Sequence, residues 1–263
     1  MFNPIRMRAI YAIWRREVLL YLLDRVRVFT SISTPILVFL IFGTGLKFII
    51  PSNLLGYDFA HFFYPGIIAA MVAIMAFDSG MSIVWDREFG FLREILVSPI
   101  SRTDLALGKL LGATTRCLIQ ALPMLLIAPF IGLTLSLAKV LVIILTIIVL
   151  GWGLAGLGVL ISSRMRRVES FNIVIQILIA PMIFLSGAFF PTHDANNWIK
   201  TISNFDPLTY GVDGLRYIFL NSSVNAKVLD ILTTHNFLTS AFFLLIFALL
   251  MTFVSILVFR KMK

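Results

Sequence analysis

Six apolar stretches, each about as long as a membrane is thick, constrain this chain more than any other feature. They run over Phe29–Ile50, Phe62–Val84, Cys117–Leu137, Val140–Ile161, Phe171–Phe190 and Phe237–Phe259. Roughly 20 consecutive apolar residues in a helix span the hydrocarbon core of a bilayer. Inside lipid the backbone has to satisfy its own hydrogen bonds, so each stretch is expected to be a helix. The chain is 59% hydrophobic, far more than a water-soluble core requires. The expected fold is an all-α polytopic membrane protein with six transmembrane helices, built as one unit over 1–263. Within it, 1–28 form an interface helix, 29–84 carry spans one and two, and 85–103 form a charged loop. Spans three to five occupy 104–190, led in by a helical segment at 104–116. An external helical segment, expected to be re-entrant, covers 191–236, and 237–263 hold span six and a tail.

Six spans bring both ends to the same side. Segments 1–28, 85–116, 162–170 and 260–263 then share a side and hold 17 of the 22 Lys and Arg residues. Basic residues stay on the cytoplasmic side, so both termini are expected there. The net charge of +9 is thereby a topology signal with attraction to anionic headgroups. No aromatic stacking platform accompanies it, so nucleic acid is not an expected partner. The single cysteine, Cys117, excludes an internal disulfide. His61, His193 and His235 are scattered, which gives no zinc-ligand spacing. Six arginines within the first 28 residues do not resemble a cleaved signal sequence. Met7, Tyr11, Trp14, Val18 and Leu22 follow the helical period, with Arg8, Arg15 and Arg16 off that stripe, as in a helix bedded at the headgroup boundary. It is either an anchor or a lever for a cytoplasmic partner.

Charge is scarce, at 13% against about 25% in soluble proteins, yet five charged residues fall within Asp86–Glu94. Phe89, Leu92 and Leu96 share one helical face, which predicts a short amphipathic helix over 86–97 that Ser98-Pro99 ends. The interleaved signs of Arg87, Glu88, Arg93 and Glu94 suit recognition of a partner in water. Arg87-Glu88-Phe89-Gly90, then Leu92, then Leu96-Val97-Ser98-Pro99 with Arg102 beyond, resembles the first cytoplasmic loop of ABC-2 type permeases, the membrane subunits of a class of ATP-binding-cassette exporters. A second match, Leu185-Ser186-Gly187-Ala188-Phe189-Phe190-Pro191, Trp198, Asp206-Pro207-Leu208-Thr209-Tyr210 and Leu215-Arg216, resembles that family's segment between spans five and six. The resemblance implies an ATPase-coupling helix formed by Asp86, Arg87, Glu88, Phe89, Gly90, Leu92, Arg93 and Glu94. Arg164, Arg166, Arg167 and Glu169 in the second cytoplasmic loop would make a lesser contact or serve topology alone.

No G-x-x-x-x-G-K-[ST] loop is present, so ATP and Mg would be bound by a separate ATPase subunit and no cofactor is expected on this chain. A literal G-x-G-x-x-G, Gly151–Gly156, sits inside span four; Gly151, Ala155 and Gly158 share a face that suits close helix packing. The resemblance further implies a second copy or close paralogue in the bilayer, a location in a bacterial or archaeal cytoplasmic membrane, and export of an amphiphile such as a drug-like compound, a lipid or a lipid-linked saccharide. Candidate pathway or gate residues are Asp78, Pro181, Phe205, Pro207, Tyr210 and Arg216. Asp78 is the lone acid within a span, either functional or paired with a basic residue such as Arg116. Asp206 is placed to cap a helix begun by Pro207, with Leu208, Val212, Leu215 and Phe219 on its apolar face. An ion-driven transporter would call for more intramembrane charges, and an intramembrane enzyme for paired catalytic groups. Neither pattern is visible.

Overall fold

The computed structural model describes residues 4–45, 58–91, 100–192, 195–221 and 224–261. Among these the chain is helical, without a strand. The elements are α1 (Pro4–Leu23), α2 (Arg25–Val38, extended by a π-helical turn Phe39–Thr44), α3 (Phe59–Glu88), α4 (Arg102–Ile127, closed by a 3-10 turn Ala128–Ile131) and α5 (Leu137–Ser162). They continue as α6 (Val168–Leu185), α7 (Asn197–Phe205), α8 (Pro207–Leu220), α9 (Ala226–Leu232) and α10 (Phe237–Lys261). Six segments, carrying α2, α3, α4, α5, α6 and α10, are long and apolar enough to cross a membrane.

Helix starts are capped as their sequences dictate. Asp24, Asp58, Ser101, Ser136 and Asp206 each accept a backbone N–H from the first turn of the helix that follows. Gly132 closes the end of α4 at φ +86°, a conformation that suits glycine. The expected lead-in at 104–116 and the third span are one unbroken helix, α4, which runs through Pro123. Leu137 opens the next helix rather than closing this one. The second span is longer than its apolar run: α3 continues through Asp86, Arg87 and Glu88. The chain leaves that helix at Phe89, and Gly90 adopts φ +80°. The predicted helix over 86–97 therefore does not start at 86, and residues 92–97 lie outside the described ones.

α3 is the centre of the bundle and the most enclosed of the six spans. Its closest neighbour is α5. A Cβ placed on Gly80 would sit 2.4 Å from the Gly158 carbonyl oxygen, and the Ser79 hydroxyl donates to the Ala155 carbonyl. The other face of the same glycine-rich stretch meets α10, where Gly153 abuts Phe247 and Gly156 abuts Met251. The G-x-G-x-x-G is thus a two-sided packing surface inside a helix. In the segment between α6 and α10, α8 is buried nearly all round: Leu208, Val212, Leu215 and Phe219 are buried as expected, and so are Thr209, Asp213 and Arg216. α7 differs, since its apolar residues Trp198, Ile202 and Phe205 are exposed while Ser203 is buried. The short helix α9 was not anticipated. α2, α6 and α10 keep most of their outer surface uncovered.

Candidate functional site

The side chains with most chemistry in them gather at the basic end of the bundle. α1 packs its Ile13–Glu17–Tyr21 face on α4, rather than only lying on a surface; Met7, Tyr11 and Leu22 of the predicted apolar stripe point outward and are exposed. Small residues allow the approach: a Cβ on Gly112 would come within 2.6 Å of the Glu17 Cβ, and one on Gly108 within 2.7 Å of Ile13. Glu17, 2% exposed, thereby enters the protein and needs partners. Lys109 Nζ donates to Glu17 Oε1 at 2.9 Å, the Ser82 hydroxyl donates to Glu17 Oε2 at 3.0 Å, and an Arg116 nitrogen lies 3.7 Å from that same oxygen. Lys109 also donates to Asp86 Oδ2 at 2.6 Å, and Arg16 to Asp86 Oδ1 at 2.8 Å. Burial by itself would raise the Glu17 carboxyl; the Lys109 ammonium and the Arg116 and Arg16 guanidinium groups outweigh it and hold the carboxyl at about 2. Two carboxylates and three basic groups from α1, the end of α3 and the first half of α4 form one charge hub. Asp86, expected at a docking surface, is buried in it, because α3 carries it one turn further along the bundle.

Sequence reading singled out Asp86 but missed the hub. Lys109 reads as a topology charge, Arg116 as a topology charge or a partner for Asp78, and Glu17 carries no signal of its own in the charge count. A usable signal was present: Glu17 is an acid inside the predicted interface helix, and Gly108 and Gly112 flank Lys109 at a helical spacing.

Next to the hub, the end of α3 reaches the loop between α5 and α6. Arg87 donates to the carbonyls of Ser162, Ser163 and Met165. Glu88 Oε2 accepts the Val168 N–H at 2.9 Å, at the first turn of α6, where an acidic group is favoured. The two loops that sequence reading treated separately therefore form one surface. On it Trp85 and Phe89 are exposed and in edge contact at 6.0 Å, and Arg164, Arg166, Arg167 and Glu169 are exposed. The Arg16 guanidinium lies over the Phe91 ring at 4.5 Å, tying this surface to the hub. Leu92, Arg93 and Glu94 lie outside the described residues. Among the described residues no three His, Cys, Asp or Glu side chains gather as metal ligands.

The candidate pathway residues separate into two groups. Asp78, on α3, pairs with Arg27 at the start of α2; the expected basic partner near the same end is present, but it is Arg27, since Glu17 engages Arg116. Pro181 lies inside α6 and is exposed. At the far end of the bundle, Arg216 is 1% exposed and donates to the carbonyls of Leu232 and Gly187, with its guanidinium 4.0 Å from the Phe62 ring centre. Tyr210 stacks on Phe243 and His235, and its hydroxyl donates to the Asn204 carbonyl. Pro207 opens α8, and Phe205, just before the Asp206 cap, is 81% exposed. Arg216 and Tyr210 thus clamp α8 into the bundle, while Phe205 stands clear of it.

The profile of the ABC-2 type transporter family matches residues 8–220, from α1 through the hub to the end of α8. The chain belongs to the ABC-2 type transporter family. It is a multi-pass membrane protein and a permease subunit of the ABC transporter class. Among relatives, ycf38 of Porphyra purpurea, named as a transport permease, is 29% identical over 83% of this chain and 73% of its own. Nodulation protein J of Bradyrhizobium diazoefficiens is 26% identical over 95% of this chain and 90% of its own. YbhR of Escherichia coli (strain K12), named as a probable multidrug ABC transporter permease, is 28% identical over 63% of this chain but only 45% of its own length. The ABC-2 match covers both segments that carried the resemblance.

Proposed function

We propose that this chain forms the translocation path of an ATP-driven exporter, with ATP and Mg bound by a separate ATPase subunit. Its basic end faces the cytoplasm of a bacterial or archaeal cell, and the protein resides in the cytoplasmic membrane. The ATPase docks on the surface that carries Arg87, Glu88, Phe89 and Gly90, with Arg164, Arg166, Arg167 and Glu169 as a second contact; Leu92, Arg93 and Glu94 are assigned the same docking role. A second copy or close paralogue completes the path against the open faces of α2 and α6. The cargo is amphiphilic, in keeping with the multidrug name of one relative.

The observation that supports this reading best is the continuity between the exposed surface and the hub. Phe89 stands clear of the fold immediately beyond Asp86, and Asp86 is ion-paired to both α1 and α4. A displacement applied at Phe89 is therefore delivered to three helices through charge-assisted bonds rather than absorbed by a mobile loop. Asp78, Pro181, Phe205, Pro207, Tyr210 and Arg216 are assigned to the path and its gates. A Phe89→Cys variant in a Cys117→Ser background, treated with a short bifunctional thiol-to-amine reagent in native membranes, tests the docking site. Cross-linking to an ATP-binding-cassette subunit, altered by ATP, is expected. Efficient thiol labelling with no ATPase adduct, with Arg166→Cys equally unproductive, would contradict it.

A further inference from the structure

The end of α3 places two consecutive side chains of opposite charge on the loop between α5 and α6. Arg87 Nη1 donates to the Ser162 carbonyl at 3.2 Å, to the Ser163 carbonyl at 3.3 Å and to the Met165 carbonyl. The last carbonyls of a helix have no donor within that helix, and a cation is favoured beside them. Arg87 meets both conditions at the end of α5. Glu88 meets the reverse conditions at the start of α6. Arg167, the residue before that helix, makes no side-chain capping bond, since a guanidinium carries no acceptor. Glu88 Oε2 accepts the N–H of Val168, the first residue of α6, at 2.9 Å. α3 thus supplies, from its own last turn, the acceptor that the N-cap of α6 cannot. α6 has few other ties. With α2 it is the least enclosed of the spans, and along the bundle it leans chiefly on α3.

We infer that Arg87 and Glu88 are positioning residues that yoke the facing ends of α5 and α6 to α3, so that the three helices move together when an ATPase displaces the end of α3. The inference deepens the exporter reading proposed above and rests on it. Both side chains direct a charged group at the α5–α6 loop, whereas the Trp85 and Phe89 rings stand exposed beside them. Recognition and transmission are thereby divided between neighbours on one helix end: the rings meet the partner, and the charged pair passes its motion on. Hydrogen bonds that carry a formal charge are the stronger kind, which suits them to hold two helix ends under load.

The test uses the full chain with its co-purifying subunits in nanodiscs, in a Cys117→Ser background. Nitroxide labels are placed at Ile74→Cys and Ser170→Cys. Ile74 is exposed on the same unbroken α3, and Ser170 is exposed in the first turn of α6. The rise from Ile74 to Glu88 along α3 is about 20 Å at roughly 1.5 Å per residue, a separation that pulsed electron paramagnetic resonance resolves. The distance is read without nucleotide and with ATP and vanadate. It is expected to be the same in both states for the unaltered yoke and for Glu88→Gln, which keeps an acceptor for the Val168 N–H. In Glu88→Ala, and more so in Arg87→Met/Glu88→Ala, it is expected to shift with ATP and vanadate beyond the width of the nucleotide-free distribution, with the ATPase still bound. A shift in the unaltered yoke or in Glu88→Gln overturns the inference. So does a distance that ATP leaves unmoved in both Ala-bearing variants, even if it is broadened from the start, since Glu88 would then be a helix cap alone. Loss of the ATPase from those variants but not from the unaltered yoke would make the pair docking contacts and overturns it too. The same preparations separate the two readings: no co-purified ATPase with the unaltered yoke contradicts the exporter, whereas an ATPase accompanied by any of these contrary results contradicts only the yoke.

Discussion

Glu17 and Lys109 show how few atoms hold the basic end together. Removing one partner of a buried pair leaves the other charged and unsatisfied, at a cost of about 3–5 kcal/mol. Glu17→Gln and Lys109→Met are each expected to destabilise by that order in thermal denaturation of the detergent-solubilised protein. The double variant is expected to recover part of the loss, because no orphaned Lys109–Glu17 charge remains although buried Arg116 still loses its carboxylate; strict additivity would show that the two groups are not coupled. The folded carboxyl of Glu17, at about 2, lies below its ordinary 4.5. Its contribution is therefore complete above 4.5 and is lost as pH falls toward 2. Asp206 has the opposite sign. Burial pushes its carboxyl up, against the Leu208 N–H that favours the charge, to about 7 from an ordinary 3.8. The stabilisation of its neutral form is complete below 3.8 and is lost as pH rises through 7. Asp206→Asn keeps a capping oxygen, so it is expected to raise the melting temperature at pH 8 and to change it little at pH 4. An equal shift at both would remove the titration of Asp206 as the cause.

At the scale of elements, periodicity and cap chemistry made most helices legible. The Asp206-Pro207 start of α8 and its buried stripe follow from side-chain preferences alone, as does the use of Gly158 in packing. The hub was not legible, because it joins residues 17, 86 and 109, whose proximity depends on how α1 turns against α4. Hydrophobic periodicity does not say which side of α1 packs on protein: Met7, Tyr11 and Leu22 of its stripe are exposed while Val18 is buried and Trp14 donates to Thr115 of α4, and in a membrane protein apolar does not mean inward. The end of the second span was misjudged for a related reason. Charged residues look like a loop, but Asp86 is compensated inside the fold and so stays helical. Gly80 offers a direct test of packing. The backbone carbonyl of Gly158 cannot step aside, so Gly80→Ala is expected to cost on the order of 1–3 kcal/mol and to lower the yield of monodisperse protein. Wild-type stability would mean that α3 and α5 are not in backbone contact. On the same scale, Phe89→Ala removes an exposed ring that supports no core. It is expected to leave melting behaviour unchanged while reducing ATP-dependent transport at least tenfold, measured in vesicles with the partner present.

For the whole molecule, the enclosed α3 and the open α2, α6 and α10 describe a bundle finished on one side and unfinished on another. The charge distribution read from the sequence coincides with the structural polarity: the hub, the two joined loops and the Arg27–Asp78 pair all lie at the end rich in arginine. Legibility stops where function depends on what lies outside the chain, since neither cargo nor partner leaves a local periodic signal. The central claim, that this permease works by passing the motion of a separate ATPase through the hub, is tested most directly by purifying the tagged chain from native membranes in mild detergent. Co-eluting polypeptides are then identified by mass spectrometry for wild type, Phe89→Ala and the Glu17→Gln/Lys109→Met pair. The account predicts an ATP-binding-cassette subunit with wild type, its loss with Phe89→Ala, and its retention without ATP-dependent transport in the hub variant. Intact, monodisperse chain recovered repeatedly without an ATPase, or a hub variant that transports normally, would contradict it.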